Sequence, residues 1–205
     1  MYRYPIGILQ KKLDGIYDIH PQTNTLNEYR APNSIIINED KGLKKARKIV
    51  TPHRKISELF FQKSILLNWS INIEKNITLE KGLKVLFPGS SLARKGAYEV
   101  RRIVQELELP LVIKKGAMET KSFWNNINIE YADSKDIFQD IGLIIYPAYI
   151  DHSPRIILQA MAKGIPVIIS DACGIESAEN VTVIPSGNYD KFKQEIEKFI
   201  KKRSQ

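Results

Sequence analysis

Between about residues 83 and 185 the chain alternates short unbroken apolar runs with longer stretches whose apolar residues recur every three or four positions. Unbroken runs suit strands of a parallel sheet covered on both faces, and the longer stretches suit amphipathic helices packed on it. Val85-Leu-Phe-Pro-Gly89 reads as the first strand and its exit. A helix follows over residues 95–107, with Ala97, Val100, Ile103, Val104 and Leu107 on one face and Glu99, Arg101, Arg102 and Glu106 on the other. Leu111-Val-Ile113 and Ile127-Asn-Ile-Glu130 are the next strands, with a short helix over residues 121–125 between them and a capped turn over 133–138 after them. Leu143-Ile-Ile-Tyr146 is a central strand and Val181-Thr-Val-Ile184 closes the sheet. The last helix carries Tyr189, Phe192, Ile196, Phe199 and Ile200 on a core stripe, with Lys198, Lys201, Lys202 and Arg203 near its negative end. Residues 81–205 thus read as an α/β, doubly wound parallel sheet of Rossmann-like type.

The stretch from Asp151 to Asp171 is the most informative, because it passes from loop to helix to buried strand without a break. Pro154 suits a first helical turn. Ile156, Ile157, Leu158, Ala160 and Met161 make the helix apolar on nearly all sides, so it belongs inside the protein. Gly164 ends it, and Pro166-Val-Ile-Ile169 is the next strand. The N–H groups of Ser153, Arg155 and Ile156 then stand at a helix start, where orphan donors attract a phosphate. Gly89-Ser-Ser-Leu-Ala-Arg-Lys-Gly96 has the same placement at the end of the first strand.

Residues 14–33, rich in Asn, Pro and Tyr, show no sustained periodicity. Lys48-Ile-Val-Thr-Pro-His-Arg54 and Ser64-Ile-Leu-Leu-Asn-Trp-Ser-Ile71 resemble segments of a known enzyme family, and that resemblance implies a strand, a helix over residues 56–61, and a second strand with its crossover.

These residues resemble the donor-side signature of retaining glycosyltransferases with two Rossmann domains (the GT-B type, glycosyl transferases group 1). In that family two Glu residues, separated by seven intervening residues, bracket a loop that runs into Glu-Ala-Met-Ala-x-Gly-x-Pro-Val. Ala160-Met-Ala-Lys-Gly-Ile-Pro-Val167 matches as it stands, with Asp151 and Gln159 at the two acidic positions. The resemblance spans residues 46–203 and is strongest over 142–176. It implies a nucleoside diphosphate sugar as donor substrate, with no metal and no further cofactor. Lys95 matches the family's phosphate-binding Lys. Ser90 stands where an Arg is expected, and Arg94 is the neighbouring cation that can replace it. Lys95 and Asp151 are the implied catalytic pair, Asp151 meeting the sugar and Gln159 the ribose. Gly116 and Tyr131 mark the base, and His152, Ser153, Pro154 and Arg155 form the phosphate loop. Cys173 takes the place of a loop Gly and reads as a small neutral filler. His53, in Thr-Pro-His-Arg, caps or flanks a helix start.

The same resemblance implies that residues 1–80 are a partial remnant of an acceptor domain with its linker, and residues 81–205 the donor-binding domain. The acceptor, a glycan or a lipid-linked molecule, is then met mainly by another half, in a longer chain or in a separate N-terminal domain chain. Erosion to a non-enzymatic interaction or nucleotide-sugar-binding module is the alternative.

Composition narrows the classes. A chain of 205 residues with 43% hydrophobic content and one Cys suits a globular protein without an internal disulfide, which points to a reducing cytosol. No run of about 18 apolar residues suggests a spanning helix. The net charge of +8 fits a scattered solvated surface, phosphate binding or an anionic lipid surface. The run from Lys41 to Lys48 has helical spacing suited to a peripheral position at the inner membrane surface. No zinc-finger spacing, RNA-binding motif or helix-turn-helix accompanies the charge, so nucleic acid is not an expected partner. No paired carboxylate at a defined spacing supports hydrolytic glycosidase chemistry.

Overall fold

The computed structural model describes residues 3–69, 84–133 and 135–203. It opens with helix α1 (Ile6–Ile19), a single 3₁₀ turn at Leu26–Tyr29, and helix α2 (Asn33–Lys45). Leu9, Leu13 and Ile16 recur at helical spacing in α1, and Leu13 and Ile16 are buried. Gly7 and Gly15 weaken the local helix signal, each costing about 1 kcal/mol relative to Ala. Burial of that stripe is what holds the helix. The segment that lacked periodicity thus contains the end of α1, the 3₁₀ turn and the start of α2. The basic run beginning at Lys41 is helical only to Lys45.

Strand β1 (Ile49–Thr51), helix α3 (Arg54–Leu59) and strand β2 (Ser64–Leu66) make a small unit in which the two strands pair in parallel. The expected boundary near residue 80 lies outside the described residues.

The main sheet follows: β3 (Lys84–Phe87), helix α4 (Ala97–Glu106), β4 (Leu111–Ile113), β5 (Ile129–Tyr131), β6 (Ile141–Tyr146), helix α5 (Arg155–Ala162), β7 (Val167–Ser170), β8 (Val181–Ile184) and helix α6 (Tyr189–Arg203). Its six strands lie in the order β5-β4-β3-β6-β7-β8, every neighbouring pair parallel. Helices flank this sheet, so the architecture is α/β and Rossmann-like. Strands β6 and β7 are buried along their whole length, which explains their unbroken apolar sequences. The chain order reverses direction between β3 and β6. The crevice at the carboxyl ends of those two strands is where an open α/β sheet places a ligand.

Four elements differ from the sequence reading. Residues 121–125 form turns, because Phe123 and Trp124 are drawn into the core and the Trp124 Nε1–H donates to Ser91 Oγ at 2.8 Å. The fifth strand begins at Ile129, after the turns. The helix expected from Lys95 begins at Ala97, since Ala93–Lys95 form a 3₁₀ turn and Gly96 adopts φ +79°. Helix α5 is half-buried: Ile157 and Ala160 are fully inside, while Ile156, Leu158 and Met161 are partly exposed. Gly164, at φ +68°, closes it: Ile165 N donates to Ala160 O and Gly164 N to Met161 O, both at 3.0 Å.

Candidate functional site

Two loops meet at the β3–β6 switch point. The first leaves β3 through Gly89 and Ser90 and tightens into the 3₁₀ turn that carries Arg94 and Lys95. The second leaves β6 through Pro147 and reaches Asp151 and α5. They are tied by backbone, with Tyr149 N and Ile150 N donating to the Arg94 carbonyl at 3.1 and 3.2 Å. A Cβ on Gly89 would stand 2.7 Å from Tyr146 Cε2, so the loops pack this closely only without a side chain there.

Lys95 and Asp151 form the centre. Lys95 Nζ donates to Asp151 Oδ2 and to the Ile150 carbonyl, each at 3.0 Å. The Tyr146 hydroxyl donates to the same Oδ2 at 2.5 Å, and Ser153 N donates to Oδ1 at 2.8 Å. Both side chains are nearly enclosed, at 15% and 9% exposure. Burial pushes the Asp151 carboxyl up, but Lys95, Tyr146 and the Ser153 amide outweigh it and hold the pKa below the usual carboxylate range. For Lys95 burial wins over the attraction of Asp151, and its pKa is lowered. The two directions are consistent, because Asp151 has three donors around it while Lys95 has one carboxylate and one carbonyl.

This geometry corrects the expected phosphate loop. Of the three amides expected to be free, Ser153 N is held by Asp151 and Arg155 N donates back to Ser153 O at 2.8 Å. Pro154 sits at the N-cap, one position before the helix begins. Asp151 itself already accepts from three donors within the protein, two at Oδ2 and one at Oδ1. Tyr146, read from sequence as core, is buried as core and also orients that carboxylate.

The other expected residues divide into two groups. Ser90 faces Gly116, where a Cβ would lie 3.9 Å from Ser90 Oγ. Tyr131 is half exposed at the carboxyl end of β5, with Lys115 Nζ 5.6 Å from its ring centroid. Ser153, Arg155 and Gln159 are exposed along the start of α5. Lys95, Asp151 and His152, by contrast, are buried or largely buried.

His152 has a buried Nδ1 without a hydrogen-bond partner among the described residues. Burial first, then the nearby Lys95, lowers its pKa to about 4. An unfolded His titrates near 6.5. The unfolded chain therefore binds the proton first, and stability drains away as pH falls from about 6.5 to about 4. His152→Asn is expected to flatten that part of a urea-unfolding profile; a profile identical to wild type refutes this role.

His53 is 1% exposed and is not a side-chain cap for α3: its Nε2 contacts the Ala172 carbonyl at 2.8 Å, in the 3₁₀ turn after β7. Gly174, at φ +66°, lets the imidazole lie on the backbone, since a Cβ there would fall 2.4 Å from His53 Cγ. Cys173 is fully buried and burial pushes its thiol pKa up, in keeping with a filler role. Among the described residues no three His, Cys, Asp or Glu side chains gather as a metal site requires. No helix among them is long and apolar enough to cross a membrane.

Two buried carboxylates were not expected. Glu99, read as an outer residue of its helix, is 7% exposed and lies against His20 and Tyr149. Glu119 is 8% exposed and accepts from Ala93 N at 2.7 Å, at the start of the 3₁₀ turn that carries Arg94 and Lys95. Their partners lie far along the chain, so no local pattern announces them.

No curated protein matches the chain in sequence. Several solved structures match in fold. The lipopolysaccharide outer core galactosyltransferase WaaB, in its apo form, is 16% identical with TM-score 0.62, over 78% of this chain and 54% of that one. Sucrose-phosphate synthase from Thermosynechococcus elongatus is 13% identical with TM-score 0.64, over 83% and 53%. Anabaena HepE in complex with UDP and glucose is 14% identical with TM-score 0.58, over 82% and 56%. The chain thus spans about half the length of each of these proteins. Residues 119–205, which include Asp151, α5 and the strands around them, match the model of the family described as Glycosyl transferases group 1.

Proposed function

We propose that this chain is the donor-binding half of a retaining glycosyltransferase, which moves a sugar from a nucleoside diphosphate sugar to a glycan or lipid-linked acceptor. The observation that carries the reading is the Lys95–Asp151 pair at the β3–β6 switch point. The family match over residues 119–205 and the UDP and glucose in the HepE structure support it.

Departure of a nucleoside diphosphate builds negative charge, which fixed cations in a dry cleft stabilise. Lys95 and Arg94 supply that charge, and Asp151 holds Lys95 in place until the diphosphate competes for it. Ser90, His152 and the Ile156 amide line the phosphates. Gln159 meets the ribose, and Gly116 with Tyr131 borders the base. The acceptor is met by the second half, and the basic surface from Lys41 to Lys48 faces an anionic membrane.

Calorimetry with UDP, GDP and their sugars tests this reading. Micromolar to millimolar affinity for one of them is expected; a folded sample that binds none removes the proposal. Gln159→Glu restores an anionic acceptor for ribose hydroxyls and is expected to tighten binding about fivefold.

A second reading, a nucleotide-sugar-binding module without turnover, is favoured by one observation. Both Asp151 oxygens are engaged inside the protein and Ser90 brings no cation to the phosphates. Sugar transfer that appears only in the Ser90→Arg, Gln159→Glu protein identifies an eroded site, whereas strong transfer by the unaltered protein excludes it.

A further inference from the structure

We infer that residues 4–26 form a strap that closes over the Lys95 end of the cleft, and that a nucleoside diphosphate reaches Lys95 only when the strap lifts. The ligand in this inference rests on the donor-site reading above; the strap itself rests on contacts.

The strap is anchored on both sides of the Lys95–Asp151 pair. Leu13, Ile16 and Leu26, each 1% exposed or less, pack on Ala93, Tyr149 and Ile150, the residues that flank Lys95 and precede Asp151. Thr23 and Thr25 donate to the two oxygens of Glu119 at 2.6 and 2.7 Å, and Asn24 N approaches one of them at 3.3 Å. His20 Nε2 lies 2.6 Å from Glu99 Oε1, which also accepts from the Tyr149 hydroxyl, and the His20 ring stacks on Tyr98 at 4.6 Å. At the other end the Tyr4 ring lies 5.1 Å from that of His53 and 5.7 Å from that of His152. A charged pair roofed in this way cannot meet a diphosphate without movement of the roof.

The attachment is narrow. Of the fourteen residues of α1 only Leu13 and Ile16 are buried, while Lys11, Asp14, Tyr17, Asp18 and Ile19 face solvent. A segment held by a thin apolar stripe and a few discrete polar anchors belongs to the low-stability end of a fold. When the binding-competent form is a minor population, apparent affinity falls by that fraction, so weakening an anchor raises affinity.

The test cuts one anchor with Thr23→Val, Thr25→Val and reads Lys95 with and without nucleotide. In the first reading, an amine-reactive acetylating ester is applied without ligand and acetylation is followed by mass spectrometry, with exposed Lys201 as internal reference. Lys95 is expected to react at least about tenfold faster in the variant, with Lys201 unchanged. Equal Lys95 rates overturn the strap. In the second, UDP is titrated, and affinity is expected to rise by a similar factor. Faster acetylation with unchanged UDP affinity overturns the gating role. Faster acetylation with no UDP binding by either protein supports the strap and removes the donor reading instead. Should the double variant fail to fold, His20→Ala cuts the neighbouring anchor at Glu99, and the same comparison decides.

Discussion

Asp151→Ala is expected to destabilise the protein by about 3 kcal/mol or more at pH 7, because it leaves the Lys95 ammonium enclosed without its counter-charge. The substitution also strips the acceptor from the Tyr146 hydroxyl and the Ser153 amide. Asp151→Asn keeps an acceptor oxygen but removes the charge, and it should fall between the two proteins. The sign with pH follows from the direction of the shift. The folded carboxyl titrates below its unfolded value of about 3.9, so its contribution is complete above that pH and is lost as pH falls through the folded value. The gap between wild type and Asp151→Ala therefore narrows in strong acid, below the window in which His152 acts. Urea unfolding at pH 7 and pH 3 measures both. Equal stability of the two proteins at pH 7 would mean that Lys95 finds another partner, and the pair would lose its place as the centre of the site.

The difference between what could be read and what could not is one of sequence distance. The strands announced themselves because parallel strands covered on both faces are apolar without interruption, as in Ile141–Tyr146 and Val167–Ser170. Asp151 and Lys95 could be assigned to the carboxyl ends of strands because each lies in the loop that follows an unbroken apolar run. Glu99 was misread because the helical period puts it opposite Val100 and Ile103, and only α1, arriving from 79 residues away at His20, turns that outer face into an interior one. Glu119 was silent for the same reason, with Thr23 and Thr25 lying 96 and 94 residues from it. Residues 121–125 form turns in place of the expected short helix, since the hydrogen bond from Trp124 to Ser91 and the burial of Phe123 favour them. Tertiary contacts overrode local preference at each of these places. The expected free amides failed more subtly. A loop that starts with Asp can satisfy its own N–H groups, as Asp151 does for Ser153, and this self-capping competes with an external phosphate.

Gly96→Ala is expected to be as damaging as the loss of Asp151, although no charge is involved. Gly96 has φ +79°, a left-handed conformation that costs an L-residue about 1–2 kcal/mol. A Cβ at that position would stand 2.4 Å from the Pro147 carbonyl oxygen and 2.7 Å from its carbon, contacts that rigid backbone cannot absorb. Overpacking of this kind adds 1–3 kcal/mol, for a total of about 3 kcal/mol. The displacement also has a direction. Gly96 follows Lys95 and Pro147 begins the loop to Asp151, so a side chain between them drives the two loops apart and lengthens the 3.0 Å ion pair. Stability and UDP affinity should therefore fall together in Gly96→Ala. Gly42→Ala is the control, since a Cβ there meets nothing within 4 Å inside helix α2, and helix propensity predicts a gain of up to about 1 kcal/mol. If Gly96→Ala unfolds at the wild-type urea midpoint, the close approach of the two loops is not what holds Lys95 against Asp151.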